Sequence, residues 1–181
     1  MKKKNFTLIE ILGVVALIVI LLTISIGAYN YAMDASKESA TKATVARLSN
    51  GLTALQDKGF LQKTSDFEYI IFDAANEKLT VGTADLGSTP AKKKEIYKLF
   101  AKAIDADSVE GILDSDKKIC DGWGQPILIR FPGKFNKGKF DIISAGSDGK
   151  FGSGSADTPP TDIASYRDSD NEAVCDDITN F

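Results

Sequence analysis

The sequence predicts an α+β protein: a long N-terminal α-helix, transmembrane over its first half, packed on a small C-terminal antiparallel sheet with a metal-binding loop. Three observations predict it. Residues 6–28 (FTLIEILGVVALIVILLTISIGA) form an almost unbroken apolar run of 23 residues, long enough to cross a bilayer. Beyond it, Val45, Leu48, Leu52 and Leu55 recur at spacings of 3, 4 and 3, which places one apolar stripe on a continuing helix. Towards the C-terminus, two apolar segments at 127–131 (ILIRF) and 140–144 (FDIIS) flank a Pro132-Gly133 turn as the strands of a hairpin do, and an acidic loop follows.

The expected organisation is a leader peptide at 1–5, a membrane helix at 6–28, its amphipathic continuation at 29–58, and a globular head at 59–181. About 150 residues remain outside the apolar run and leader, enough for one domain with a core. The chain has 181 residues, 26% of them charged, and a net charge of −3, so no nucleic-acid partner is expected. It contains no histidine, which excludes Ser-His-Asp and Cys-His nucleophiles and histidine-liganded metals. No other catalytic constellation is visible, and no enzyme activity is expected. The two cysteines, Cys120 and Cys175, are too few for a zinc cluster. Outside the cytoplasm they could pair, closing a loop of about 55 residues worth roughly 4 kcal/mol; the alternative is two buried free thiols.

Lys2, Lys3 and Lys4 precede the apolar run, and positive charge stays cytoplasmic. A cleaved secretory signal has a shorter apolar core and a small-residue cleavage site. A plain signal anchor explains the length and the lysines but leaves Glu10 without a reason. An acid inside hydrocarbon is costly and is by default functional. The segment Lys4-Asn5-Phe6-Thr7-Leu8-Ile9-Glu10 resembles the prepilin signal of the type IV pilin and pseudopilin superfamily. The resemblance implies removal of the leader by a prepilin peptidase between Asn5 and Phe6, N-methylation of Phe6, and retention of Glu10 as the fifth mature residue. Asn5 stands where the family usually has glycine. A lone carboxylate in hydrocarbon seeks a cation or becomes neutral. In a packed filament the Phe6 amine of a neighbouring subunit can supply that cation, which makes Phe6 and Glu10 the expected assembly residues.

Gly59 is a helix stop, and Gly27 is a place either for local melting or for close helix packing. Residues 67–72 (FEYIIF) read as a buried strand or an apolar helical turn, with Leu79-Thr80-Val81 placed to pair with it. Thr89 is a candidate N-cap and Pro90 a first helical residue, with Ile96, Leu99, Phe100, Ala103 and Ile104 on one face. Lys92, Lys93 and Lys94 read as a solvated face. Residues 120–126 form a turn-rich loop around Trp123, the single tryptophan, and 153–161 are loop by composition.

After FDIIS comes Ala145-Gly146-Ser147-Asp148-Gly149-Lys150, then a long acidic stretch ending in Asp176-Asp177-Ile178-Thr179-Asn180-Phe181. Calcium needs six to eight hard oxygens from carboxylates and the carbonyls of a tight loop; these parts are present, but an EF-hand spacing is not. The ordered set Asp121-Gly122-Trp123-Gly124-Gln125-Pro126, Phe131-Pro132-Gly133, 140–149 and 176–181 resembles the major pseudopilin of type II secretion systems. That resemblance implies one calcium held by Asp148, Asp176 and Asp177, with the carbonyls of Ala145 and Lys150. Asp162-Ile163-Ala164-Ser165-Tyr166 is a rival match for the last segment and would substitute Asp157 or Asp162. A Cys120–Cys175 bridge and Phe181 as an aromatic plug favour the later match.

The resemblance implies a homo-oligomeric filament that drives protein export, with prepilin peptidase, an inner-membrane assembly platform and minor pseudopilins as partners. It places the protein in the inner membrane as a single-pass subunit with its head in the periplasm, and the assembled filament in the periplasm or at the cell surface. Two other readings stay open: a type IV pilus subunit for adhesion or DNA uptake, and a membrane-anchored calcium-binding domain that never polymerises.

Overall fold

The computed structural model describes residues 7–154 and 156–181. The chain divides into two compact units, Met1–Ser36 and Lys37–Phe181, and helix α1 (Leu8–Asp57) contributes to both. In the first unit every described residue is exposed, including Leu8, Leu12 and Ile24 at 85%, 64% and 65%. The helix is continuous through Gly27. Thr23 and Ser25 donate their hydroxyls to the carbonyls of Ile20 (2.8 Å) and Leu21 (2.7 Å). Such back-bonding satisfies a polar side chain without an outside partner, as hydrocarbon surroundings require.

In the second unit the α1 stripe turns inward. Val45, Leu48, Leu52 and Leu55 are buried in the main core, as their spacing predicts. Gly51 belongs to the same face: a Cβ there would lie 2.6 Å from Ile104 Cγ2 and 2.7 Å from the Phe100 ring. The helix must be bare at this point for α2 (Pro90–Ile104) to approach. Thr89 caps α2 by accepting the Lys92 N–H, with Pro90 in the first turn, where a missing N–H costs nothing. A short helix α3 (Ala106–Glu110), which the sequence did not reveal, follows at once.

Among the described residues the sheet has six strands, β1 (Glu68–Asp73), β2 (Lys78–Val81), β3 (Ala84–Asp85), β4 (Leu128–Arg130), β5 (Asp141–Ser144) and β6 (Ile178–Thr179). Their spatial order is β3-β2-β1-β4-β5-β6, and every pairing is antiparallel. The 67–72 segment is therefore a strand, and Leu79 pairs with Phe72 and Val81 with Ile70. The expected hairpin is β4–β5, with Ile129 opposite Ile142. The two-residue strands β3 and β6 were not legible, because so short an element carries no periodicity.

Two cores result. The main one gathers α1, α2 and the sheet; Phe72, Phe100, Ile129 and Ile142 are fully buried in it. A second, smaller one contains Ile143, Ala145, Phe151 and Tyr166, with Phe135, Cys175 and Phe181 against it. The long acidic stretch is folded onto this second core through the bridges Phe151↔Ala156 and Arg167↔Ala173. The lysines of α2 are not simply solvated: Lys93 and Lys78 both bind Asp85 (2.7 and 2.6 Å), Lys94 pairs with Glu77, and Lys92 reaches Glu95 at 3.6 Å.

Candidate functional site

Asn5 and Phe6 lie outside the described residues. Glu10 is exposed in the first turn of α1. Its Oε2 accepts from both the N–H and the hydroxyl of Thr7, each at 2.8 Å, while its own N–H donates to Thr7 Oγ1 at 3.3 Å. This reciprocal arrangement is a capping box, built by a threonine at the N-cap and an acid three residues on.

The C-terminal acids are arranged by β5 and β6, which pair Ser144 with Ile178. This pairing sets Asp176 beside the turn that leaves β5. Asp176 Oδ2 accepts from Ser147 N (2.6 Å), Ser147 Oγ (2.7 Å) and Asp148 N (3.0 Å). Burial acts to raise its pKa, but these donors together outweigh burial and hold it below the ordinary value. Gly146, at φ +64°, makes the close approach possible; a Cβ there would lie 2.4 Å from the Asp176 carbonyl oxygen. Asp148 Oδ1 accepts from Lys150 N at 2.7 Å.

Asp177 is different. Its Oδ2 accepts from Gly152 N at 2.8 Å, but its Oδ1 is buried with no partner. Burial, with the charges of Asp176 and Asp148 adding to it, pushes its pKa up to about 6. A buried carboxylate oxygen without a donor is costly and marks a place where a cation would be welcome. The rival acids are engaged elsewhere: Asp157 pairs with the Lys150 ammonium, and Asp162 accepts from Ala164 N at 3.2 Å to cap a 3-10 turn. Asp148 N and Asp176 Oδ2 are hydrogen-bonded and both acids act on the charge of Asp177, but among the described residues no three acidic, histidine or cysteine side chains converge as a ready metal cage.

The expected Cys120–Cys175 bridge is not formed; both are free thiols. Cys120 is buried at the Cys120↔Pro126 bridge, and burial pushes its thiol up to about 11. Cys175 packs against the second core. What ties the Trp123 loop to β5 is Asp121, a motif residue with no role of its own in the sequence. Asp121 is buried, accepts from Trp123 N and Gln125 N (2.9 Å each), and receives the Ser144 hydroxyl at 2.6 Å. Gly122 N donates to Thr41 Oγ1 at 2.9 Å, which fastens the same loop to α1. Asn180, another motif residue without an assigned role, accepts from Ile142 N (2.6 Å) and donates to the Phe140 carbonyl (3.1 Å), extending the β5 edge beyond β6. Phe181 fills the second core, its ring centroid 4.4 Å from Phe135 and 5.5 Å from Tyr166.

The family model described as type II secretion system (T2SS), protein G matches residues 71–165, just over half of the chain. No curated protein and no solved structure matches it. The match covers the second half of β1, strands β2 to β5, α2, the Trp123 loop and the first part of the acidic stretch, but not β6, while the exposed apolar helix that precedes it fits a single-pass membrane anchor. The chain belongs to the protein G family of type II secretion systems, the major pseudopilins, and is a structural secretion subunit rather than an enzyme.

Proposed function

We propose that this chain is the polymerising subunit of a pseudopilus, and that the filament drives protein export. The observation that carries this reading is the first half of α1: helical, apolar on every side, and without a buried residue before Thr41. A helix apolar all round must be covered by lipid or by other helices. Before assembly the bilayer covers it, with the lysine leader cytoplasmic and the head periplasmic; after assembly the same helices of neighbouring subunits do. Glu10 then selects register by meeting the N-methylated amine of Phe6 on the next subunit, once prepilin peptidase has cut after Asn5. The assembly platform and minor pseudopilins are the expected partners in the inner membrane.

Calcium is proposed as a stabiliser of the head. Asp177 Oδ1 is the buried oxygen without a donor, and Asp148 and Asp176 are near enough to act on its charge. These three acids, with the carbonyls of Ala145 and Lys150, would hold the ion. Its chemistry there is charge neutralisation and cross-linking of the β5 turn to the segment returning into β6.

The test is Glu10→Leu in the full chain, with filament yield, secretion and the mass of the mature N-terminus measured together. Loss of filaments and secretion, with a mature chain beginning at N-methylated Phe6, is expected. Native-level assembly of Glu10→Leu would defeat the filament reading, and an intact Met1 would defeat the processing step.

A further inference from the structure

We propose that the loop joining β4 and β5 docks, through Lys134, Lys137 and Lys139, onto the acidic tip formed by Asp168, Asp170 and Glu172 of a second copy of this chain. The inference deepens the assembly reading and rests on it.

The basic loop is held rigid. Asp141 is fully buried and accepts the N–H groups of Lys134 (2.6 Å), Phe135 (3.1 Å) and Asn136 (2.8 Å). Asn136 donates its amide to the carbonyl of Asn180 at 3.0 Å, and Phe135 is sunk into the second core against Phe181 and Tyr166. Gly133 can carry no side chain, because a Cβ would lie 2.6 Å from Asp141 Oδ1. On this frame the three lysines are exposed, and none makes an ion pair among the described residues, whereas Lys92, Lys93, Lys94 and Lys98 of α2 all do. The one acid within the loop and its flanks, Asp141, is committed to backbone amides, so the loop keeps a net positive charge.

The acidic tip is built as firmly. The Arg167↔Ala173 bridge closes a hairpin whose turn is capped by Asp168, which accepts from Asp170 N (2.9 Å) and Glu172 N (2.8 Å). Asp168, Asp170 and Glu172 are exposed and make no ion pair among the described residues. Arg167, the nearest cation in sequence, is engaged by the carbonyls of Phe181 (2.8 Å) and Asn171 (3.0 Å). Each subunit therefore carries two rigid lobes of opposite charge, both rooted in the second core and not paired with each other. Unlike lobes on one body match between copies in a head-to-tail sense, the open association that builds a filament. Opposite charge guides such contacts and sets their register.

The experiment uses the full native chain co-reconstituted in vesicles from equal amounts of nitrogen-14 and nitrogen-15 protein. A carbodiimide activates a carboxylate, the lysine amine displaces the activating group, and an amide forms at hydrogen-bonding range. Mixed-isotope peptides linking residues 134–139 to residues 168–172 are expected. Lys134→Glu/Lys137→Glu/Lys139→Glu also removes the linkable amines, so its effect is read as co-purification of two differently tagged copies, which should fall at least tenfold and be restored by Asp168→Lys/Asp170→Lys/Glu172→Lys in the partner copy. Links confined to single-isotope peptides, or no links at this pair, would overturn the proposal. So would lysine-loop binding to anionic phospholipid vesicles in place of mixed links. Filaments whose mixed links lie elsewhere defeat the docking and leave the assembly reading standing; mixed links at this pair without filaments do the reverse.

Discussion

Thr7 and Glu10 satisfy one another across the first turn of α1, the threonine donating twice to the acid and receiving once in return. The carboxylate is therefore partnered inside its own chain. Two roles of Glu10, helix cap and charge, can be separated because glutamine serves equally at the third position of a capping box. Glu10→Gln should leave amide exchange at Leu8–Ile11 unchanged and abolish filaments as completely as Glu10→Leu. Thr7→Ala should raise exchange at the same amides about fivefold, the equivalent of about 1 kcal/mol of lost cap. Native filament yield in Glu10→Gln would reduce Glu10 to a cap.

The sequence was informative where periodicity or special residues speak. The α1 stripe, the Thr89-Pro90 start of α2 and the β4–β5 hairpin all follow from spacing or from residues with a fixed stereochemical use. What it concealed were the buried polar links. Asp121 looks like an ordinary loop acid and Asp141 like the polar start of a strand, yet each is locked by backbone N–H groups. Asn180 gives no sign that it continues a strand edge. The two cysteines invited a bridge because a loop closure explains how a returning segment is held. The structure holds it instead by β5–β6 pairing and by the Asp176 cap on Ser147 and Asp148. Pairings of this kind depend on which distant residue arrives, and local pattern cannot supply that.

Gly51 tests the fit between α1 and α2. A methyl group there meets Ile104 Cγ2 at 2.6 Å and the Phe100 ring at 2.7–2.8 Å, and both neighbours are fully buried. Overpacking of this kind costs about 1–3 kcal/mol. Gly51→Ala should melt several degrees below the native chain, even though alanine favours the helix itself. Thr53→Ala, at an exposed site two residues on, should melt within a degree or two of native. Equal melting temperatures for native and Gly51→Ala would show that the two helices are free to move apart.

Asp85 joins β3 to α2 and to β2 by accepting from Lys93 and Lys78, and these lysines hold its pKa at about 2. The sign follows directly. An acid whose folded pKa is depressed adds stability above its unfolded value, near 4, and loses it as pH falls towards 2. The group is partly exposed, so its worth is limited to about 1 kcal/mol. Asp85→Asn should therefore be less stable than native at pH 7 by about that amount, and the difference should shrink between pH 4 and pH 2. Urea unfolding of both chains across that range is the measurement. A gap that stays constant to pH 2 would place the effect in packing rather than charge.

Asp177 behaves in the opposite sense. Burial, with the charges of Asp176 and Asp148, pushes its pKa up to about 6, above its unfolded value. Its ionisation therefore opposes folding, and without calcium the head should lose stability as pH rises from about 4 to 6 and stay lower above it. Asp177→Asn removes that charge and keeps an acceptor for Gly152 N. In chelator above pH 6 the variant should be at least as stable as native, by up to an amount on the order of 1 kcal/mol, and melt correspondingly higher. With calcium at a hundredfold excess over Kd the order should invert, because the native head gains about 2.7 kcal/mol and the variant gains little. The crossing of the two curves is diagnostic: a site that is merely strained would rank the variant above native in both buffers, and a site that is merely structural would rank it below in both.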